Sequence, residues 1–262
     1  MPFANVAGVR IHYRIDGDAA APPLVLSNSL GASLEMWEPQ MAELSARFRV
    51  VRYDTRGHGE SEVTPGPYTI AMLGADVVAL LDTLAIPRAH FCGLSMGGMT
   101  GMWLGVNAPE RIDRLVLANT AAKIGTADMW NARIEAIRSG GMVAVASGVL
   151  ARWFTAAVLE HPTPLVARLR AGFERTSVDG YLACCAAVRD MDQREALSRI
   201  HAPTLVIAGS LDLSTPPADA RYAADRISGA RYVELPAPHL SNVEAGPAFT
   251  QALLQFLTAR KE

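Results

Sequence analysis

One serine, one aspartate and one histidine in this 262-residue chain stand where their chemistry can be joined. Gly93-Leu94-Ser95-Met96-Gly97 fits G-x-S-x-G, the pattern of a serine on a sharp strand-to-helix turn. Gly93, Gly97 and Gly98 remove the side chains that so tight a turn would crowd. The helix start behind Ser95 would aim free N–H groups at developing negative charge. A serine hydroxyl is a weak nucleophile on its own. It needs a base, and the base needs an orienting acid. Asp212, in "AGSLDLSTPP", and His239, in "LPAPHLSNVE", each follow an apolar strand-like run, in the chain order Ser, Asp, His. His239 would take the Ser95 proton, and Asp212 would fix the imidazole tautomer and stabilise its cation.

The other histidines fit this scheme less well. His12 and His90 fall inside strand-like runs, His161 stands beside Pro162 in a helical region, and His201 precedes a strand. His58, in "DTRGHGES", follows a strand, but the flanking Gly57 and Gly59 and nearby Arg56 suit a hydrogen-bonded structural turn. Asp54 reads as an organiser of that loop. Asp190 and Asp192 have no strand before them.

Short apolar runs must position the three residues. Leu24–Leu26, Val50–Tyr53, Ala89–Cys92, Leu115–Ala118, Thr204–Ala208 and Arg231–Leu235 suit strands, most of them buried on both faces, and Val9–Ile15 alternates like a half-exposed one. Helical spacing runs over Tyr68–Leu84, Met96–Ala108 (ended by Pro109), Pro217–Ile227 and Gly246–Arg260. Strand–helix alternation predicts an α/β fold, a mostly parallel twisted sheet with helices on both faces. Ala122–Leu197 carries helical patterning and no convincing strand. It therefore reads as a helical cap, residues 122–197, inserted into a core of residues 1–121 and 198–262.

Composition narrows the function. A net charge of −2 gives no electrostatic footprint for nucleic acid or an anionic membrane. No apolar run is long enough to span a bilayer, and the N-terminal residues lack a signal-peptide pattern. Cys92, Cys184 and Cys185 sit in apolar surroundings as reduced core residues, in keeping with a cytoplasmic protein. No zinc, phosphate-loop or dinucleotide motif is present, so no metal or organic cofactor is expected. Apolar helix faces suit either core or a homo-oligomer interface, and the sequence leaves that choice open.

The "GLSMGG" elbow, the "DTRGHGES" loop, the "AGSLD" acid loop and the "PAPHLSNVE" histidine loop together resemble the α/β-hydrolase superfamily over nearly the whole chain. A closer resemblance is to the 3-oxoadipate enol-lactonases of bacterial aromatic catabolism. It rests on Ser27-Asn28-Ser29-Leu30-Gly31, where many relatives carry His-Gly, and on Met36-Trp37 soon after. The resemblance implies a small enol-lactone substrate bearing a carboxylate, opened by a Ser95-His239-Asp212 triad. It also implies an oxyanion hole made by the backbone N–H groups of Met96 and Leu30. Asn28 and Ser29 are expected to brace the turn rather than touch substrate. An anionic substrate calls for a cation. Of Arg133, Arg138, Arg152, Arg168, Arg170 and Arg175, Arg133 stands one helical turn from Trp130, so the two can share a face toward the cleft. Trp153 is a candidate pocket wall. The same triad serves other ester hydrolases, carbon–carbon bond hydrolases and cofactor-free perhydrolases, and a ligand-binding receptor can retain it.

Overall fold

The structure, a computed structural model, describes residues 2–259. Eight strands run β1 (Phe3–Val6), β2 (Val9–Asp16), β3 (Pro23–Ser27), β4 (Arg49–Tyr53), β5 (Ala89–Leu94), β6 (Ile112–Ala118), β7 (Thr204–Gly209) and β8 (Arg231–Leu235). They form one sheet in the order β1-β2-β4-β3-β5-β6-β7-β8. β1 pairs with β2 and β2 with β4 antiparallel, and the other neighbours pair parallel. Eleven α-helices are described: α1 (Glu38–Leu44), α2 (Ile70–Thr83), α3 (Met96–Asn107), α4 (Ala127–Gly140), α5 (Val143–Trp153), α6 (Ala156–Glu160), α7 (Pro164–Arg175), α8 (Val178–Asp190), α9 (Pro217–Arg226), α10 (Ser241–Glu244) and α11 (Gly246–Leu257).

The apolar strands earn their place by burial on both faces. Leu24 and Leu26 of β3 join one core cluster and Val25 the other, because successive side chains point to opposite sides of a strand. Val50 and Val51 of β4, and Leu205 and Val206 of β7, divide in the same way. Each such side chain contributes about 1.5–3 kcal/mol by leaving water. Helices start where a hydroxyl can cap them. Thr69 accepts from Met72 N at the head of α2, and Thr126 accepts from Met129 N at the head of α4.

Every strand expected from the sequence is present, within three residues at its ends. The expected last helix ends at Leu257, and Arg260 lies outside the described residues. Three short elements, β1, α1 and α10, were not anticipated. β1 is an edge strand too short to carry a clear alternation, and α1 follows a single 3-10 turn over Leu34–Trp37. All described elements between β6 and β7 are helical, α4 to α8 and a 3-10 stretch over Arg194–Arg199. None of the described helices is long and apolar enough to cross a membrane.

Candidate active site

β5 delivers Ser95. The strand runs straight into α3, and Ser95 takes φ 59°, ψ −117° at the junction. A non-glycine residue holds that left-handed φ only where its surroundings enforce it. Ser95 N donates to Ala118 O (2.9 Å), and Thr120 Oγ1 donates to Ser95 O (2.7 Å). A Cβ on Gly97 would lie 2.2 Å from the Ser27 carbonyl oxygen, and one on Gly93 would lie 2.0 Å from that of Gly97. Glycine at both positions therefore lets the ends of β3 and β5 crowd against the turn.

β7 and β8 deliver Asp212 and His239 in the loops after them. His239 Nδ1 stands 2.8 Å from Asp212 Oδ2, and both residues are buried, 2% and 3% exposed. The carboxylate is saturated with donors. Its Oδ1 accepts from Ser214 N (2.7 Å) and Thr215 N (3.0 Å), and its Oδ2 also accepts from Thr215 Oγ1 (2.8 Å) and Asn119 Nδ2 (2.9 Å). Burial pushes this carboxyl upward, but the facing His239 and the Thr215 and Asn119 donors outweigh it and bring the value down to about 2. Asp212 is thus a permanent anion that holds a proton on His239 Nδ1. The other ring nitrogen, Nε2, is left as the basic one.

Ser95, His239, Leu30 and Met96 line one cavity of about 160 Å³, together with Arg133, Trp130 and Trp153. Asp212 lies behind His239. Beyond the expected residues, the lining includes Ser29, Met99, Val149 and Arg152, while Met129 and the strongly exposed Leu213 (70%) stand at its rim. α4 brings Arg133 and Trp130, and α5 brings Trp153. The Arg133 guanidinium lies 5.3 Å from the Trp130 ring centre and 5.6 Å from that of Tyr181, and its Nη2 donates to Tyr181 Oη (2.6 Å). No carboxylate pairs with it among the described residues. Arg152, in the same cavity, and Arg175 likewise have no carboxylate partner among the described residues, whereas Arg168 pairs with Glu38, Arg170 with Glu174, and Arg138 approaches Glu135.

The turn after β3 is closed by Ala32 N donating to Ser29 O (3.1 Å), with Gly31 at φ +85°. Asn28 is consumed by the frame. Its Nδ2 donates to Tyr53 O (2.8 Å), its Oδ1 accepts from Trp37 Nε1 (2.9 Å), and its carbonyl accepts from Gly97 N (2.9 Å). Asn28 braces, whereas Ser29 reaches the cavity wall. Ser29 N faces Met36 Sδ (3.4 Å) and Gly31 N donates to His58 Nε2 (2.9 Å). The N–H groups of Leu30 and Met96 have no acceptor among the described residues, and both residues line the cavity beside Ser95.

The remaining histidines have structural partners or none of catalytic kind. His12 Nδ1 bonds Asp54 Oδ2 (2.7 Å), and Asp54 also accepts from Leu34 N (2.8 Å) and Glu60 N (3.0 Å), as a loop organiser does. His90 Nδ1 lies 3.5 Å from Asp113. The three cysteines are free and buried. Asn119, Thr215 and Tyr181 escape sequence reasoning. Only Asn119 leaves a trace, a polar residue directly after β6, where φ 44° turns its amide toward Asp212.

This sheet order and a strained serine between strand and helix define an α/β hydrolase, and a family model for the alpha/beta hydrolase fold matches residues 22–140. The chain is 44% identical over 245 residues to 3-oxoadipate enol-lactonase 2 of Acinetobacter baylyi, covering 94% of this chain and 92% of that protein. It is 40% identical over 255 residues to 3-oxoadipate enol-lactonase 1 of the same organism, covering 97% and 96%. The crystal structure of the enol-lactonase from Burkholderia xenovorans LB400 is similar with a TM-score of 0.97 at 51% identity, covering 98% of this chain and 100% of that one. The chain belongs to the 3-oxoadipate enol-lactonase family of the α/β hydrolases and is a lactone-hydrolysing enzyme.

Proposed function

We propose that the protein hydrolyses 3-oxoadipate enol-lactone to 3-oxoadipate, a step of aromatic catabolism by the β-ketoadipate route, with Ser95, His239 and Asp212 as its catalytic triad. The observation that carries the substrate is Arg133. Its guanidinium has no carboxylate partner among the described residues and stands in the same cavity as Ser95. The relatives' names supply the rest: the lactone they act on carries a carboxylate arm. A fixed guanidinium suits that arm, and Trp130 and Trp153 suit the flat ring.

In this mechanism Ser95 Oγ attacks the lactone carbonyl carbon while His239 Nε2 takes its proton. The carbonyl oxygen becomes an oxyanion, held by the Leu30 and Met96 N–H groups. Each such donor contributes about 3–4 kcal/mol to the transition state, judged by its loss on mutation. Collapse breaks the ring C–O bond. The departing enolate oxygen stays tethered to the acyl chain, takes up a proton and tautomerises to the ketone. Water, deprotonated by His239, then attacks the Ser95 ester; the ester bond breaks, Ser95 regains its proton and the product leaves. Asp212, held ionised, keeps the imidazole in the productive tautomer throughout. Residues 122–197 serve as the cap in this reading, with α4 and α5 walling the site over a core of residues 1–121 and 198–262.

The test is a spectrophotometric comparison of the enol-lactone with simple p-nitrophenyl esters. A kcat/KM far higher for the lactone is expected, and preference for the esters would sink the substrate assignment. Ser95→Ala should abolish turnover of both; full activity in that variant would remove Ser95 from the chemistry.

A further inference from the structure

His58 stands outside the triad, yet its ring makes one of the most constrained contacts near the site. It is 1% exposed, and Nε2 accepts from Gly31 N at 2.9 Å. Gly31 is the third residue of the turn closed by Ala32 N and Ser29 O. In such a turn the two middle N–H groups point away from the closing bond. One of them, that of Leu30, is left without a protein acceptor beside the cavity, and the other goes to His58. The middle peptide of a β-turn can take either of two orientations, and a positive φ at the third residue marks one of them. Gly31 at φ +85° is in that form, and a fixed acceptor on its N–H selects it. The opposite orientation would leave a buried donor without a partner.

We propose that His58 is a positioning residue: by accepting the Gly31 N–H it pins the middle peptide of the Ser29–Ala32 turn, and with it the position of Leu30, whose own N–H serves the reacting carbonyl. The proposal rests on the reading that Leu30 donates to the oxyanion. His58 is itself braced for the task. Its N donates to Thr55 O (2.9 Å), and its O accepts from Ser61 N (3.0 Å). Its Nδ1 faces Arg56 O at 3.4 Å and Cys184 Sγ at 3.9 Å, so Nδ1 carries the proton and Nε2 the lone pair. The ring also packs 6.2 Å from that of Tyr181, whose hydroxyl accepts from Arg133. The oxyanion turn and the residue assigned to the substrate carboxylate therefore share one support.

The experiment uses His58→Phe, which keeps an aromatic ring against Tyr181 but removes the acceptor, and His58→Gln, which restores an oxygen acceptor. With both folded by circular dichroism, His58→Phe should lower kcat by about 10–100-fold on the lactone and on p-nitrophenyl acetate, with KM nearly unchanged. Inhibition by phenylboronic acid, whose tetrahedral Ser95 adduct places an oxygen where the oxyanion sits, should weaken by a similar factor. His58→Gln should recover most of both. Unchanged kcat in folded His58→Phe, or slower turnover with boronate inhibition unaltered, overturns the proposal. If His58→Phe does not fold, the wild-type imidazole nitrogens decide by 15N NMR: an unprotonated Nε2 supports the role, and a protonated Nε2 refutes it. The acetate ester separates the two readings, since a wild-type enzyme that turns over the ester but not the lactone fails the substrate assignment while leaving the His58 effect measurable.

Discussion

The same histidine should make the protein's stability fall in mild acid. Burial pushes His58 from the ordinary 6.5 down to about 4, against the opposing pull of the Arg56 carbonyl and the Asp54 charge. Protonation would put a second donor at Nε2, facing the Gly31 N–H. Cys184 Sγ on Nδ1 and the Tyr181 ring add no counter-charge, and the Asp54 charge that does reach the ring is outweighed by burial. Between these two values the unfolded chain holds a proton that the native protein refuses, so stability rises with pH across the window. It is fully present above pH 6.5 and lost as pH falls to about 4. About 2.5 pH units at 1.36 kcal/mol each give a loss of about 3 kcal/mol. Asp212, with its value near 2, acts from the ordinary carboxylate value downward, below most of this window, and the carboxyls of Asp76 and Asp219, raised by burial, act with the opposite sign. The assay is urea unfolding followed by tryptophan fluorescence at neutral pH and near pH 4, for wild type and His58→Gln. Every other titrating group is common to both proteins, so the difference between the two pH dependences isolates this one. Wild type should lose about 3 kcal/mol more than the variant. Parallel curves would show that the site accepts the proton without cost, and the argument from burial would be wrong.

Two further outcomes follow from the cavity and the elbow. Arg133→Ala should raise KM for the lactone by about 10–100-fold, the value of a hydrogen bond to a charged group, while KM for an uncharged p-nitrophenyl ester stays put; an unchanged lactone KM would take the carboxylate anchor away from Arg133. Gly97→Ala would set a Cβ 2.2 Å from the Ser27 carbonyl oxygen, which belongs to a central strand and cannot move aside. A loss of about 1–3 kcal/mol or more is expected, seen as a lower melting temperature together with reduced kcat; an unaltered melting curve would show that the elbow has slack.

The strands around the site were legible because a parallel sheet buries both faces. Runs such as Leu24–Leu26 and Thr204–Ala208 therefore need no polar alternation and stand out against their neighbours. The order Ser95, Asp212, His239 was legible because each residue follows the end of a strand, and parallel strands bring such ends to one edge of the sheet. Trp130 and Arg133 could be paired from helical spacing alone, since residues three apart share a face. What stayed hidden depends on contacts between distant segments. His58 could be read as a turn residue but not as the acceptor of Gly31, 27 positions away. Asn119 meets Asp212 only because β6 and β7 lie side by side, while Thr215 meets it through a local turn of the acid loop that neither strand nor helix period reports. The edge strand β1 and the short α1 were missed for a different reason. At four and seven residues neither displays enough of a period to separate from loop.

The C-terminal end of α5 bears on how these enzymes can be recombined. Its carbonyls reach into the histidine loop: His239 N donates to Arg152 O (3.3 Å) and Leu240 N to Trp153 O (3.1 Å). Two residues on, Thr155 presents its N and Oγ1 to the Glu244 carboxylate (3.0 and 2.6 Å). The helical segment is thus stitched to the very loop that carries His239. Grafting the helices of one family member onto the sheet of another would break that seam unless residues 152–155 and 239–244 travel together. The cavity wall and the placement of His239 are therefore inherited as a pair, and a chimera that respects the seam keeps its histidine in register.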